Sequence, residues 1–133
     1  MKVLFVCTGN TCRSPMAAAL FLKLFPESSS DSAGISLAGM PAAENAVIAI
    51  KEIGMDISSH RSKSVSAELV ENADLIVCMS QSHKAILETS GVDSAKIYVI
   101  DVSDPFGGDL KMYQKCRDEI TQKLEKMMEK YDS

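Results

Sequence analysis

Val3-Leu4-Phe5-Val6 constrains the fold of this 133-residue chain more than any other stretch. Four consecutive apolar residues, β-branched at both ends, suit a strand covered on both faces, whereas a strand with one wet face alternates apolar and polar. Covered strands of this kind belong to parallel sheets with helices on each side. The rest of the chain keeps that rhythm. Ser14-Pro15 reads as an N-cap followed by proline in the first turn. Ala17, Leu20, Phe21 and Leu24 then share one helix face, and Pro26 ends the helix. Ser28 to Ser32 reads as a weak second strand closed by Ala33-Gly34. Ala42 to Ile53 reads as a helix with Ala43, Ala46, Val47 and Ile50 inward and Gly54 as its stop.

Further on, Ser66 to Asn72 suits a short helix, Asp74 to Cys78 a strand, Gln81 to Thr89 a helix and Lys96 to Ile100 a strand. Asp101 to Gly108 is a loop punctuated by Asp104-Pro105 and Gly107-Gly108. A last helix runs from about Asp109 to Tyr131 on a stripe of Met112, Cys116, Ile120, Leu124 and Met127. The expected fold is α/β: one domain over residues 1–133, a four-stranded parallel sheet with helices on both faces. Ligands of such sheets bind beyond the carboxyl ends of the strands. Two loops there stand out, Cys7 to Ser14 and Asp101 to Gly108.

Composition removes several alternatives. Eighteen acidic against fourteen basic residues argue against general nucleic-acid binding. No apolar run approaches the roughly 18 residues that span a bilayer, and the N-terminus reads as a core strand and not a signal peptide. Four cysteines are too few for a disulfide scaffold, so a reduced, cytoplasmic setting and a chemical use of a thiol are expected.

Cys7-Thr8-Gly9-Asn10-Thr11-Cys12-Arg13-Ser14 joins a strand end to a helix start. Several backbone N–H groups and the positive end of the helix dipole converge there. Gly9 permits a tight curl and Asn10 tolerates a left-handed conformation. Inward N–H groups make an anion nest, and the Arg13 fork matches two phosphate oxygens. In that field a thiol is held largely as thiolate, and Ser14 is placed to donate to it. A thiolate under a bound phosphate is a nucleophile aimed at phosphorus. Asp104, set extended by the following proline, is the best candidate to protonate a leaving group and then activate water. Asp101 and Asp109 are weaker candidates. His83 reads as a solvated helix residue, and Cys78 and Cys116 read as core. Leu37 to Pro41 and Gln81 to Lys84 are the expected pocket rim.

Val3 to Ala17, "VLFVCTGNTCRSPMA", resembles the N-terminal signature of the low-molecular-weight protein tyrosine phosphatase family. "DSAG" at Asp31 to Gly34 and "DPFGG" at Asp104 to Gly108 are similar to two further family landmarks in the same order. The resemblance spans essentially the whole chain and implies a flavodoxin-like sheet, no metal and no cofactor. It implies Cys7 as nucleophile, Arg13 as phosphate clamp, Asp104 as acid and base, and Thr8 to Cys12 with Ser14 as the binding loop. It gives Ser32 and His60 a supporting role, hydrogen-bonding toward Asn10. Cys12 would form a reversible disulfide with the nucleophile, guarding it against over-oxidation. Phe106 stands where eukaryotic forms carry tyrosine and is a candidate wall residue.

Thr11 bears on the substrate. Many tyrosine-specific members carry an aliphatic residue there, typically isoleucine, and the subgroup similar to bacterial protein-arginine phosphatases has threonine. A hydroxyl at the wall suits a guanidinium, and an apolar branch suits an aromatic ring. The expected function is therefore a protein phosphatase acting through a phosphocysteine and leaning to phosphoarginine, with phosphotyrosine as the alternative. The expected partner is a phosphorylated protein met by a monomer, with no nucleic acid or membrane. Arsenate reduction on the same loop needs a relay of nearby cysteines, which Cys78 alone does not supply. A non-catalytic phosphoprotein binder would have lost the nucleophile, the arginine or the acid, and all three are present.

Overall fold

The computed structural model describes residues 1–36 and 38–131. The opening apolar run lies within β1 (Lys2–Cys7), a strand buried at every position after Lys2. After it come α1 (Arg13–Leu24), β2 (Ser29–Gly34), α2 (Glu44–Lys51), α3 (Ala67–Asn72) and β3 (Leu75–Cys78). The chain ends with α4 (Gln81–Thr89), a single 3₁₀ turn at Ser94–Lys96, β4 (Ile97–Val99) and α5 (Leu110–Tyr131). The four strands form one parallel sheet in the order β2-β1-β3-β4. The chain reverses its winding direction beside β1. Switch points of this kind are where doubly wound sheets place their ligands.

Alternation along β1 divides the core into two layers, because successive side chains point to opposite faces. Val3 and Phe5 pack with Leu75 and Val77 under α1, α2 and α5. Phe5 meets Phe21 of α1 with ring centroids 5.7 Å apart. Leu4 and Val6 face the other way, beside their register partners Ile76 and Cys78, under Leu87 of α4. The second layer is thinner, since α3 buries none of its residues. Among the described residues no helix is long and apolar enough to cross a membrane.

Four local expectations shift. Ser14 does not cap α1. Cys12 occupies the N-cap position without a side-chain cap bond, and Ser14 sits buried in the first turn with its hydroxyl committed elsewhere. β2 continues through Ala33-Gly34, because the parallel ladder pairs Gly34 with Cys7. α2 begins only after Ala43 and its helix ends at Lys51; Gly54 then turns the chain at φ 87°. On α5 the inward stripe starts at Tyr113, which is 3% exposed, and Met112 is 52% exposed. Asp109 caps that helix by accepting from the Met112 N–H at 3.0 Å. The other stripe residues, Cys116, Ile120, Leu124 and Met127, are buried as expected.

Candidate active site

Cys7 ends β1 with its sulfur buried beneath the loop that follows. The Asn10 N–H donates to Cys7 Sγ at 3.2 Å, and Ser14 Oγ lies 2.9 Å from the same sulfur. Ser14 Oγ also accepts from Asn10 Nδ2 at 2.7 Å, which leaves its own hydrogen for the sulfur. Both contacts aim a polar hydrogen at the Cys7 sulfur.

Asn10 is the hinge of the loop. It is fully buried and left-handed at φ 54°, whereas Gly9 is not among the residues with positive φ. An asparagine tolerates that conformation when its amide is bonded locally. Its Oδ1 accepts from the Lys63 N–H at 3.0 Å, and its carbonyl accepts from His60 Nε2 at 2.7 Å, which places the ring proton on that nitrogen. His60 thus supports the loop through the Asn10 backbone. Ser32 is buried nearby, but among the described residues no hydrogen bond joins it to Asn10. Ser14 and Lys63 occupy the amide instead.

The segment carrying His60 and Lys63 is held to the end of β2. The Gly34 N–H donates to the Lys63 carbonyl at 2.8 Å, and the Gly34 carbonyl accepts from Val65 at 3.0 Å. A side chain at Gly34 has no room, because its Cβ would sit 3.0 Å from both Asn10 Cβ and the Thr8 carbonyl oxygen. Gly34→Ala is therefore expected to lower stability by about 1–3 kcal/mol by overpacking and to weaken inorganic phosphate binding. Denaturant midpoints and phosphate titrations read both, and native values for the two would show that the loop yields freely.

Arg13 opens α1 and is 6% exposed. One terminal nitrogen donates to the Val102 carbonyl at 2.9 Å, and the other lies 3.5 Å from Asp104 Oδ2. Asp104 is fixed by its own turn, Oδ1 accepting from the Phe106 N–H at 3.0 Å, and its carboxylate remains about half exposed. The loops after β1 and β4 thus meet at one cavity of about 180 Å³. Cys7, Thr8, Gly9, Thr11, Cys12, Arg13, Ser36, Asp104 and Phe106 line it. A larger cavity of about 550 Å³ lies between α3 and α4, with Val65, Val70 and Ile86 among its lining. No cysteine or arginine is among its lining residues.

Asp101 and Asp109 do not line the small cavity, and Asp109 serves as the cap of α5. Residues 38–41 and 81–84 do not line it either, and Leu37 lies outside the described residues. Ser36, which sequence reasoning missed, does. No local pattern marked it, since it reaches the site only because the chain leaving β2 folds back on Thr8. Cys12 Sγ lies 3.3 Å from the Tyr113 hydroxyl, and burial holds this thiol above its usual value. Burial pushes Cys78 and Cys116 up to about 12. Cys78 is sealed in the layer under α4, which removes it from any thiol relay. His83 corrects the expectation of a solvated residue, being 3% exposed.

The sequence signature described as low molecular weight phosphotyrosine protein phosphatase matches residues 2–133. The protein-arginine-phosphatase of Bacillus subtilis (strain 168) is 38% identical, over 96% of this chain and 94% of its own. A solved low-molecular-weight protein tyrosine phosphatase from T. tengcongensis is 41% identical with a TM-score of 0.90, covering 98% of this chain and 99% of its own. YwlE arginine phosphatase, solved as a cysteine-to-serine mutant with a phosphorylated active-site serine, is 34% identical with a TM-score of 0.93, covering 100% and 97%. With a matched signature along nearly its full length and a buried thiol, a buried guanidinium and a half-exposed carboxylate around one anion-sized cavity, the chain belongs to the low-molecular-weight phosphotyrosine protein phosphatase family.

Proposed function

We propose that this cysteine-dependent protein phosphatase acts on phosphoarginine side chains. In this reading the phosphoryl group sits in the nest of residues 8–13, clamped by Arg13. Cys7 Sγ attacks phosphorus, the P–N bond breaks, and Asp104 gives its proton to the departing guanidino nitrogen. The Asp104 carboxylate then takes a proton from water, whose oxygen attacks the phosphocysteine. Inorganic phosphate leaves and the Cys7 thiolate is restored. The phosphorylated serine in the YwlE mutant supports a covalent step at the position of Cys7.

The observation that carries the substrate choice is Thr11 in the cavity wall. Its hydroxyl lies 3.7 Å from Cys12 Sγ, a weak contact that leaves it able to meet a ligand donor. A guanidino group presents N–H donors to such an oxygen, and a phenyl ring does not. Phe106 is the one aromatic residue of the lining and is 74% exposed. It offers little of the enclosed aromatic clamp that would favour phosphotyrosine. The match to the Bacillus subtilis protein-arginine-phosphatase supports the same choice.

The test compares kcat/KM on phosphoarginine and phosphotyrosine peptides of matched sequence. The native chain is expected to favour phosphoarginine, and efficient turnover of phosphotyrosine alone overturns the proposal. Thr11→Ile should shift the ratio of the two toward phosphotyrosine by about tenfold, the scale of one wall contact. Unchanged selectivity in that variant would remove Thr11 from the argument.

A further inference from the structure

We propose that His83 is a positioning residue that holds the phosphate loop in its binding shape through the Thr8 hydroxyl. The inference rests on cysteine phosphatase chemistry at Cys7 and is independent of which phosphorylated side chain is the substrate.

His83 stands in the first turn of α4, on a helix that contributes nothing to the cavity lining. Its ring is buried, with a hydroxyl on each nitrogen. Thr8 Oγ1 lies 2.9 Å from Nε2, and Ser80 Oγ lies 3.0 Å from Nδ1. Ser80 is bonded in turn to Ser82 at 2.8 Å. Burial, with the Arg13 guanidinium nearby, holds the imidazole below its ordinary value, so it is neutral at pH 7. A neutral ring has one donor and one acceptor. Two hydroxyls, each able to play either part, satisfy both without a charge. A ring bonded on both nitrogens cannot rotate, so Thr8 meets a fixed partner.

Thr8 needs such a partner. It is the first residue after the nucleophile and is itself exposed, so packing does not hold it. Its carbonyl accepts from the Ile35 and Ser36 N–H groups at 2.9 and 3.1 Å, which ties one side of the residue to the end of β2. The His83 bond ties the opposite side to α4. Between these two tethers the loop leaves Cys7 in a set direction. An anion nest works only if its N–H groups are already aimed when the phosphoryl group arrives, because reorganisation would consume the stabilisation. Among the contacts described for the Thr8 side chain, the bond to His83 is the one made by a buried group.

The experiment compares native protein, Thr8→Val, His83→Phe, His83→Gln and the Thr8→Val/His83→Phe double variant. Each is assayed on an aryl phosphate and titrated with inorganic phosphate by calorimetry, with a thermal melt on each sample. Phosphate binding reports the loop without requiring turnover, so failure of the phosphatase chemistry and failure of this proposal give different results. Thr8→Val and His83→Phe are each expected to lower kcat about tenfold and weaken phosphate several-fold, with KM changing less than kcat. The double variant is expected to be no worse than either single one, since both remove the same bond. His83→Gln, which keeps a side-chain amide to meet Thr8, should recover most of the loss. Multiplying effects in the double variant, or native kcat and native phosphate affinity in Thr8→Val, overturn the proposal. Thr8→Val carries the test alone if His83→Phe does not fold.

Discussion

Cys7→Ser is expected to reduce turnover of an aryl phosphate by about 10⁴-fold or more, the scale on which loss of a nucleophile collapses a covalent mechanism. Fold and phosphate binding should survive. Serine nearly matches the cysteine in volume, and its oxygen can still accept from the Asn10 N–H and meet Ser14. The loop, with Arg13 and the α1 dipole, remains to bind the anion. What disappears is the sulfur itself, since a serine hydroxyl is a far weaker attacking group. Steady-state assay and phosphate titration of the same sample separate the two properties. A residual rate above a few per cent of native would mean that phosphorus is attacked by another group, and would equally remove the phosphocysteine from the mechanism.

Asp104→Asn should lower kcat by about 10²–10⁴-fold, the range for losing a positioned acid and base. The amide oxygen can keep the turn by accepting from the Phe106 N–H, so the loop shape is retained. The variant loses the proton and the negative charge 3.5 Å from Arg13. With a good leaving group, phosphorylation of Cys7 needs little acid assistance, and hydrolysis of the intermediate still needs a base. Stopped-flow traces should then show one equivalent of leaving group released quickly, followed by slow turnover. Native steady-state rates would exclude Asp104. Asp101 and Asp109 are poor substitutes, since neither reaches the cavity.

Much of this site was legible because it is local. Cys7, Gly9, Asn10, Arg13 and Ser14 fall within eight consecutive residues, and a strand-to-helix turn must bring their backbone groups together. Asp104 was legible for a topological reason: parallel strands all end on one side of the sheet, so loops after β1 and β4 share that side. Errors arose where a side chain's partner is distant. Ser14 looked like a cap and is spent on Asn10 and Cys7. Met112 and Tyr113 both fit a helical period, and it is Tyr113 that is buried, its hydroxyl meeting Cys12 of the loop after β1.

The sequence by itself determined the architecture and the chemistry: short covered strands alternating with helices, and a thiol, a guanidinium and a nest at one strand end. Those follow from periodicity and chain continuity, which act over a few residues. Tertiary structure alone decided what holds the loop. His60 and Lys63 reach Asn10 because their segment is laced to β2, and His83 reaches Thr8 because α4 starts beside the loop after β1. Apart from His60, which the family resemblance marked, these are in sequence ordinary polar residues, some fifty to seventy-five positions from their partners. The packing that withdraws Asn10 and His83 from water is what makes their hydrogen bonds obligatory.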